Sequence, residues 1–361
     1  MSHSLWISTT FLCLSLFPLS IGAATAGEST MPAQYADQVK PELAAKYSYT
    51  EDGPFSKDLN MPTYEWMPVG VPQKAIVLGI HGLTLHGRRF RILARSLAVS
   101  GVGFVSLDMR GFGRCHFDDK KQFSTAEDDK TKVNHEKSYQ DIVKLAELIK
   151  AKYPDLRLIA LGESLGCTFC VRLAGEHPEL VNGMVLSAPA VKVNRAMYRG
   201  KGQVKQGIKA VIKPSHELKM SGFFADLASQ RVEVQKEMLD DPLVLQELPL
   251  KALLSTDKFV AKTTRWGKTT DKHLPVLIIQ GSRDGCVSPK HVTELMNSMP
   301  SDDQNLAWRG SFGHLQLETA RMRAPVIDAV GSWLLNHGPI NQLKLKELQQ
   351  TTADLGGIVT Q

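Results

Sequence analysis

Through most of the chain, apolar residues come in short unbroken runs separated by stretches of helical spacing. The runs are "KAIVLGI" (74–80), "GFVSLD" (103–108), "LIAL" (158–161), "NGMVLSAPA" (182–190) and "LPVLIIQGSRD" (274–284). A run of strand length with no polar alternation fits a strand covered on both faces, as in a parallel sheet flanked by helices. Between the runs, "SYQDIVKLAELIKAKYP" (138–154) places Ile142, Leu145, Ala146 and Ile149 on one helical face. "PVIDAVGSWLLNHG" (325–338) closes the series as another helix. The alternation predicts an α/β domain with a mostly parallel sheet and helices on both faces.

The pattern lapses over residues 192–271. No strong apolar strand stands out there, only helix-like, lysine-rich pieces such as "RGKGQVKQGIKAVIK" (199–213) and "LASQRVEVQKEML" (227–239). This stretch is expected to be a helical insertion that caps the carboxyl edge of the sheet. The domain core is then split into 63–191 and 272–338. Residues 27–62 are mixed and punctuated by proline, which predicts a leader segment. Residues 339–361 are polar and predict a mobile tail.

Composition adds compartment and partners. The 361 residues are 43% hydrophobic, enough for a large core. The first 26 contain no Lys, Arg, Asp or Glu; Leu5 to Ile21 is largely apolar and Ala24-Thr25-Ala26 forms an A-x-A site. Residues 1–26 therefore read as a signal peptide that exports the protein, to the periplasm or outside the cell. The start lacks a positive charge, so the alternative is an uncleaved membrane anchor. Cys13 lies inside this apolar run.

The formal charge of +6 comes without a dense basic block or interleaved aromatics, which argues against nucleic acid as partner. Lys201, Lys205, Lys209 and Lys213 recur every four residues and predict one basic helix face. That face is either solvated surface or a contact for anionic lipid. Cys115, Cys167, Cys170 and Cys286 show no zinc-ligand spacing, so no metal is expected. Cys167 and Cys170 lie three apart on one predicted helix, where disulfide geometry is poor.

The chemistry centres on "LIALGESLGCTFCVRLAG" (158–175). An apolar strand stops at Gly162-Glu163-Ser164-Leu165-Gly166 and a helix begins directly after it. Glycines on both sides permit so sharp a turn, which leaves Ser164 pointing out of the sheet. A serine hydroxyl needs a base to take its proton and an acid to orient that base. Asp284 follows the strand "VLIIQGSRD", and His314 lies in "GSFGHLQLE" before the closing helix. The order Ser164, Asp284, His314 after successive strands is that of a catalytic triad. Asp302 and Asp303 are weaker candidates in a polar loop, and Asp257 falls in the insertion. Two backbone N–H groups suffice as an oxyanion hole: Leu165, after the nucleophile, and Leu83, in the loop "HGLTLHG" after the first buried run. His81 reads as a loop-shaping residue and not as a second base.

The segments "IHGLTLHGRRF", "SLDMRGFGRC", "LGESLGC", "LSAPA", "DDPLV" and "LPVLIIQGSRDGCVSP…FGHLQLE" succeed one another in a way that resembles the monoglyceride lipase and lysophospholipase-like (serine aminopeptidase-like) branch of the α/β-hydrolases, over about residues 63–337. The resemblance implies an α/β-hydrolase fold with a helical cap. It carries the nucleophile onto Ser164, the acid onto Asp284 and the base onto His314. It also implies a small-molecule acyl-ester substrate and no cofactor. Two positions depart from the branch: Glu163 stands where His is usual, which leaves the leaving-group preference open, and Cys115 and Cys286 stand where Ser and Val are common. In the strand order of the family their loops start about four strands apart, roughly 19 Å at ~4.8 Å per strand, too far for a direct disulfide unless the loops converge. The expected function is serine ester hydrolysis of a monoacylglycerol- or lysophospholipid-like substrate. The alternatives are an aminopeptidase or amidase on the same triad, or a non-catalytic binding protein of the same fold.

Overall fold

The computed structural model describes residues 39–194, 217–219, 221–338 and 340–355. The segment read as a signal peptide, 1–26, and the lysine face at 201–213 lie outside the described residues.

Six apolar or amphipathic stretches form the central parallel part of the sheet: β3 (Ala75–Ile80), β4 (Val102–Leu107), β5 (Arg157–Glu163), β6 (Gly183–Ser187), β9 (Val276–Gly281) and β10 (Gln304–Arg309). With β1 (Tyr47–Glu51) and β2 (Thr63–Pro68) they make an eight-stranded sheet in the order β1-β2-β4-β3-β5-β6-β9-β10. Pairing is antiparallel at β1–β2 and β2–β4 and parallel from β4 onwards. The carboxyl ends of β3, β5, β9 and β10 thus open on one edge, where α/β folds place their ligands.

The pleat divides the core into two layers. Ile76, Leu78 and Ile80 of β3 pack on one face with α2 (Pro54–Leu59), α5 (His135–Lys152) and α6 (Leu165–Glu176). Ala75 and Val77 pack on the other with α3 (Arg91–Val99) and α12 (Ala324–Asn336). Shorter helices complete the chain: α1 (Pro41–Ala44), α4 (Gly113–His116) and α11 (Val292–Ser298).

Two sequence expectations are corrected. The leader does not end at residue 62 as a loose segment: from residue 41 on it supplies α1, β1 and α2, and Tyr47, Tyr49, Phe55, Leu59 and Met61 are buried. Its "YSYTE" alternates apolar and polar positions, which suits an antiparallel strand near an edge. Nor is the tail mobile throughout. Residues 342–354 form α13 (Gln342–Asp354), capped by the Asn341 side chain accepting from Lys344 N at 2.9 Å. Leu348 is fully buried, and a Cβ on Gly331 of α12 would lie 2.5 Å from Leu345. The missing side chain at Gly331 is what lets α13 settle onto α12.

In the insertion, α7 (Ser221–Ala228) and α8 (Val232–Asp240) are helices, but a small antiparallel pair, β7 (Glu217–Lys219) with β8 (Glu247–Pro249), also forms. Beyond it, α9 (Leu250–Val260) and α10 (Thr263–Gly267) pack back onto the domain. Phe259 stacks near Phe169 of α6 at 4.7 Å, and a Cβ on Gly175 would lie 2.6 Å from Trp266 O.

Candidate active site

The elbow is built by steric necessity. In 158–171 every residue is buried except Ser164, which is half-exposed. Ser164 has φ 56° and ψ −118°, a conformation that L-residues adopt only under constraint and that costs on the order of 1–3 kcal/mol. A Cβ on Gly166 would lie 1.9 Å from Ile80 O, and one on Gly162 would lie 2.5 Å from Gly166 C. Both glycines are therefore required for α6 to start this close to β3 and β5. Three backbone bonds fix the strained residue: Ser164 N donates to Ser187 O at 2.9 Å, and Cys167 N and Ala190 N donate to Ser164 O at 3.1 and 3.2 Å.

Asp284 and His314 meet as their strand-end positions lead one to expect. His314 Nδ1 lies 2.8 Å from Asp284 Oδ2 with both side chains buried. The other oxygen, Oδ1, accepts from Cys286 N and Val287 N, each at 2.9 Å, and Gln280 Nε2 donates to Oδ2 at 3.2 Å. A group facing only donors is held as a carboxylate. The proton between it and the imidazole then sits on Nδ1, which leaves the Nε2 lone pair free to act as base. Burial alone would lower the pKa of His314, but the Asp284 charge and hydrogen bond, with a further push from Glu163, raise it above the ordinary imidazole value. Among the described residues the Ser164 hydroxyl makes no hydrogen bond; such contacts commonly tighten only when substrate is bound.

The weaker acids are elsewhere. Asp302 pairs with His273 at 3.2 Å, Asp303 with His337 at 2.8 Å, and Asp257 lies on α9. Among the described residues Cys115, Cys167, Cys170 and Cys286 are buried free thiols. Polar atoms of Asp284, Cys286 and His314 all lie within 4.8 Å of one another. That spacing would suit a cation, but Nδ1 and Oδ2 already face each other across a hydrogen bond, as an acid and its base do.

The loop after β3 stands against the elbow: a Cβ on Gly82 would lie 3.4 Å from Ser164 Cβ. Neither Leu83 N nor Leu165 N has a hydrogen-bond acceptor among the described residues. His81 shapes this loop. Its Nε2 accepts from Met109 N at 2.9 Å, so Nδ1 carries the proton and donates to Gly82 O at 2.8 Å. Burial drives its pKa down to about 4, and the ring is neutral and fully engaged.

The sequence left the role of Glu163 open, and two further acids escaped it. The side chain of Glu163 turns inwards and grips the backbone just beyond His314, with Glu318 N donating to it at 2.9 Å. Glu318 in turn accepts from Gly82 N at 2.9 Å. Glu237 of α8 accepts from Ala320 N at 2.8 Å and from Thr319 Oγ1 at 2.7 Å. The backbone partners of these acids lie 83 to 236 residues away, where side-chain pattern carries no signal.

The insertion is bonded to the loops that carry His314, Asp284 and Leu83. Ala228 O, at the end of α7, accepts from His314 N and Leu315 N at 2.9 and 3.0 Å, and Leu227 O accepts from Gly285 N at 3.1 Å. Leu245 N donates to Thr84 O at 2.8 Å, beside Leu83. A cavity of about 1320 Å³ is lined by Leu245, other residues of the insertion and residues of 129–134, and its lining includes none of Ser164, Asp284 or His314.

A family model described as "Serine aminopeptidase, S33" (Hydrolase_4) matches residues 71–318. The monoglyceride lipase of Mus musculus is 26% identical over 272 residues, which are 74% of this chain and 84% of that protein. A monoglyceride lipase homolog of Monkeypox virus is 24% identical over 273 residues, 75% of this chain and 92% of that one. Among solved structures, a soluble variant of monoglyceride lipase from Saccharomyces cerevisiae, in complex with a substrate analog, superposes with a TM-score of 0.59 at 18% identity and covers 91% of this chain and 100% of its own. The monoacylglycerol lipase of Paleococcus ferrophilus gives 0.55 at 19% identity, over 81% and 99% of the two chains.

Proposed function

Since the chain belongs to the Hydrolase_4 (serine aminopeptidase, S33) family, in the monoglyceride lipase-like branch of the α/β-hydrolases, we propose that it hydrolyses carboxylic esters of lipid-like alcohols, of monoacylglycerol or lysophospholipid type, through an acyl-enzyme on Ser164. The observation that carries this reading is the buried Asp284–His314 hydrogen bond on the sheet edge that also holds the strained Ser164.

Ser164 Oγ attacks the ester carbonyl carbon while His314 Nε2 takes its proton. Asp284 holds the resulting imidazolium. The carbonyl oxygen becomes an oxyanion facing the N–H groups of Leu83 and Leu165, each such donor being worth on the order of 100- to 1000-fold in rate. Collapse breaks the C–O bond to the alcohol, and His314 returns the proton to the departing oxygen. Water then attacks the acyl-enzyme with His314 again as base, releasing the fatty acid and restoring Ser164. The curated relatives carry the name monoglyceride lipase, which supports a lipid ester over an aminoacyl amide.

Ser164→Ala tests the assignment. Fluorophosphonate labelling and turnover should both disappear while the far-UV circular dichroism spectrum is retained. Labelling at the wild-type rate would show the nucleophile to be elsewhere. Running the wild type on monoacylglycerols, lysophospholipids and aminoacyl amides side by side separates the substrate classes; preference for the amides would overturn the ester reading.

A further inference from the structure

Residue 163 precedes the nucleophile, and its environment is unusual for an acid. Glu163 is 1% exposed, yet it faces donors throughout. Oε1 accepts from Ser187 Oγ at 2.7 Å, Gln316 N at 2.8 Å and Leu317 N at 3.1 Å. Oε2 accepts from Leu317 N at 3.2 Å and Glu318 N at 2.9 Å. The three backbone N–H groups can only donate, so they favour the anion, against burial, the largest influence and the one that raises the pKa of this carboxyl. Three of the four donor groups are consecutive backbone N–H groups that begin two residues after His314. The base is therefore held from two sides, by Asp284 at its ring and by Glu163 at the backbone that follows it.

We propose that Glu163 is a positioning residue for His314: its carboxylate ties the 316–318 backbone to the nucleophile elbow and places a second negative charge where the imidazolium forms. The proposal rests on His314 being the general base.

The other ionisable groups in the surroundings are few. His314 is faced by Asp284, by Cys286 and by the charge of Glu163. Glu163 is faced by His314, by Glu318 and by the Cys167 thiol. Burial, then the Glu163 charge, pushes Glu318 well above the carboxylate range, and burial keeps both thiols neutral. Oε1 of Glu318 is buried without a partner, whereas Glu163 is saturated. The charge of the pair thus resides on Glu163. Arg89, whose Nε donates to Glu318 O at 3.0 Å, lies on the far side of Glu318 and is itself paired with Asp241 and Glu237.

The test is the pH dependence of kcat and KM on a soluble ester for the full chain, with wild type, Glu163→Gln, Glu163→Asp and His314→Ala compared. Glu163→Gln removes the charge and turns an amide N–H₂ toward backbone donors. It should lower kcat by about tenfold or more with KM changed less than about twofold. It should also move the acid limb of kcat/KM down by about half a pH unit, because an anion that favoured the protonated imidazole is gone. Glu163→Asp keeps the charge but falls one methylene short: the acid limb should stay in place while kcat drops. An unmoved acid limb in folded Glu163→Gln overturns the proposal. If that variant does not fold, wild-type kcat in Glu163→Asp overturns it instead. His314→Ala separates the premise: if it keeps the wild-type rate, the base lies elsewhere, and if it is dead while the Glu163→Gln limb is unmoved, only the role of Glu163 falls.

Discussion

The nucleophile elbow and the acid–base pair meet at one sheet edge, but different forces hold them there. The elbow is fixed by contact: Gly166 passes within a missing methyl of Ile80 O, and Ser164 is pressed into a conformation that it would not otherwise adopt. The pair is fixed by hydrogen bonds, at Asp284 from its own loop and at His314 from outside it. His314 is anchored by Ala228 of the insertion and by Asp284, and the residues beyond it by Glu163 and Glu237. Steric constraint fails abruptly when an atom is added. A set of hydrogen bonds loses strength one donor at a time, except at the one bond that sets the tautomer.

That exception gives the largest effect. Asp284→Asn would offer an amide N–H₂ or oxygen to a position already approached by Gln280 Nε2 and His314 Nδ1, and the oxygen is needed by Cys286 N and Val287 N. The amide then faces the ring, His314 takes the other tautomer and Nε2 ceases to be a base. Turnover should fall by about 10⁴-fold, on the precedent of the serine proteases, with the fold retained. Steady-state kinetics decide it, and a loss smaller than tenfold would remove Asp284 from the triad.

Gly166→Ala probes the steric half. The new methyl would sit 1.9 Å from a backbone oxygen, where no rotamer can relieve it. Overpacking of this kind costs about 1–3 kcal/mol, and here it also displaces Leu165 and the elbow. Thermal denaturation should show a lowered midpoint together with loss of fluorophosphonate labelling. A variant with normal stability and labelling would mean that the elbow is softer than its contacts imply.

Glu237→Gln should have the smallest effect. The amide oxygen can still accept from Ala320 N, while the interactions with Thr319 Oγ1 and buried Arg89 weaken. A loss of about 1 kcal/mol and a change in kcat/KM of a few-fold are expected, with the pH profile unchanged. Collapse of activity in this variant would show that the insertion, and not the core, sets the position of His314.

The same contrast explains what could be read from the chain. The strands that carry the site are unbroken apolar runs, and the elbow announces itself because only glycine tolerates its geometry. Asp284 and His314 were legible from their places after strands. Glu163 stood in plain view as a departure from the family pattern, but its role was not legible, since its partners are backbone groups brought in from 153 to 155 residues away. β1 and β2 were missed for another reason. Their alternation over five or six residues, broken by Pro54 and Pro62, is weaker than the runs that follow. α13 escaped because only Leu345 and Leu348, with Leu355 just past its end, give it an apolar side.

That last helix has a consequence for how the molecule is assembled. α13 lies on α12 and α3, Lys46 ahead of β1 pairs with its Glu347, and Lys40 pairs with Asp354. The first and last described parts of the chain therefore close a ring of more than three hundred residues. Because loop-closure entropy grows only with the logarithm of length, such a ring is thermodynamically cheap. Its kinetic effect is larger: during synthesis Tyr47, Tyr49 and Trp66 emerge early, yet the layer that shares their core is complete only when Leu348 arrives.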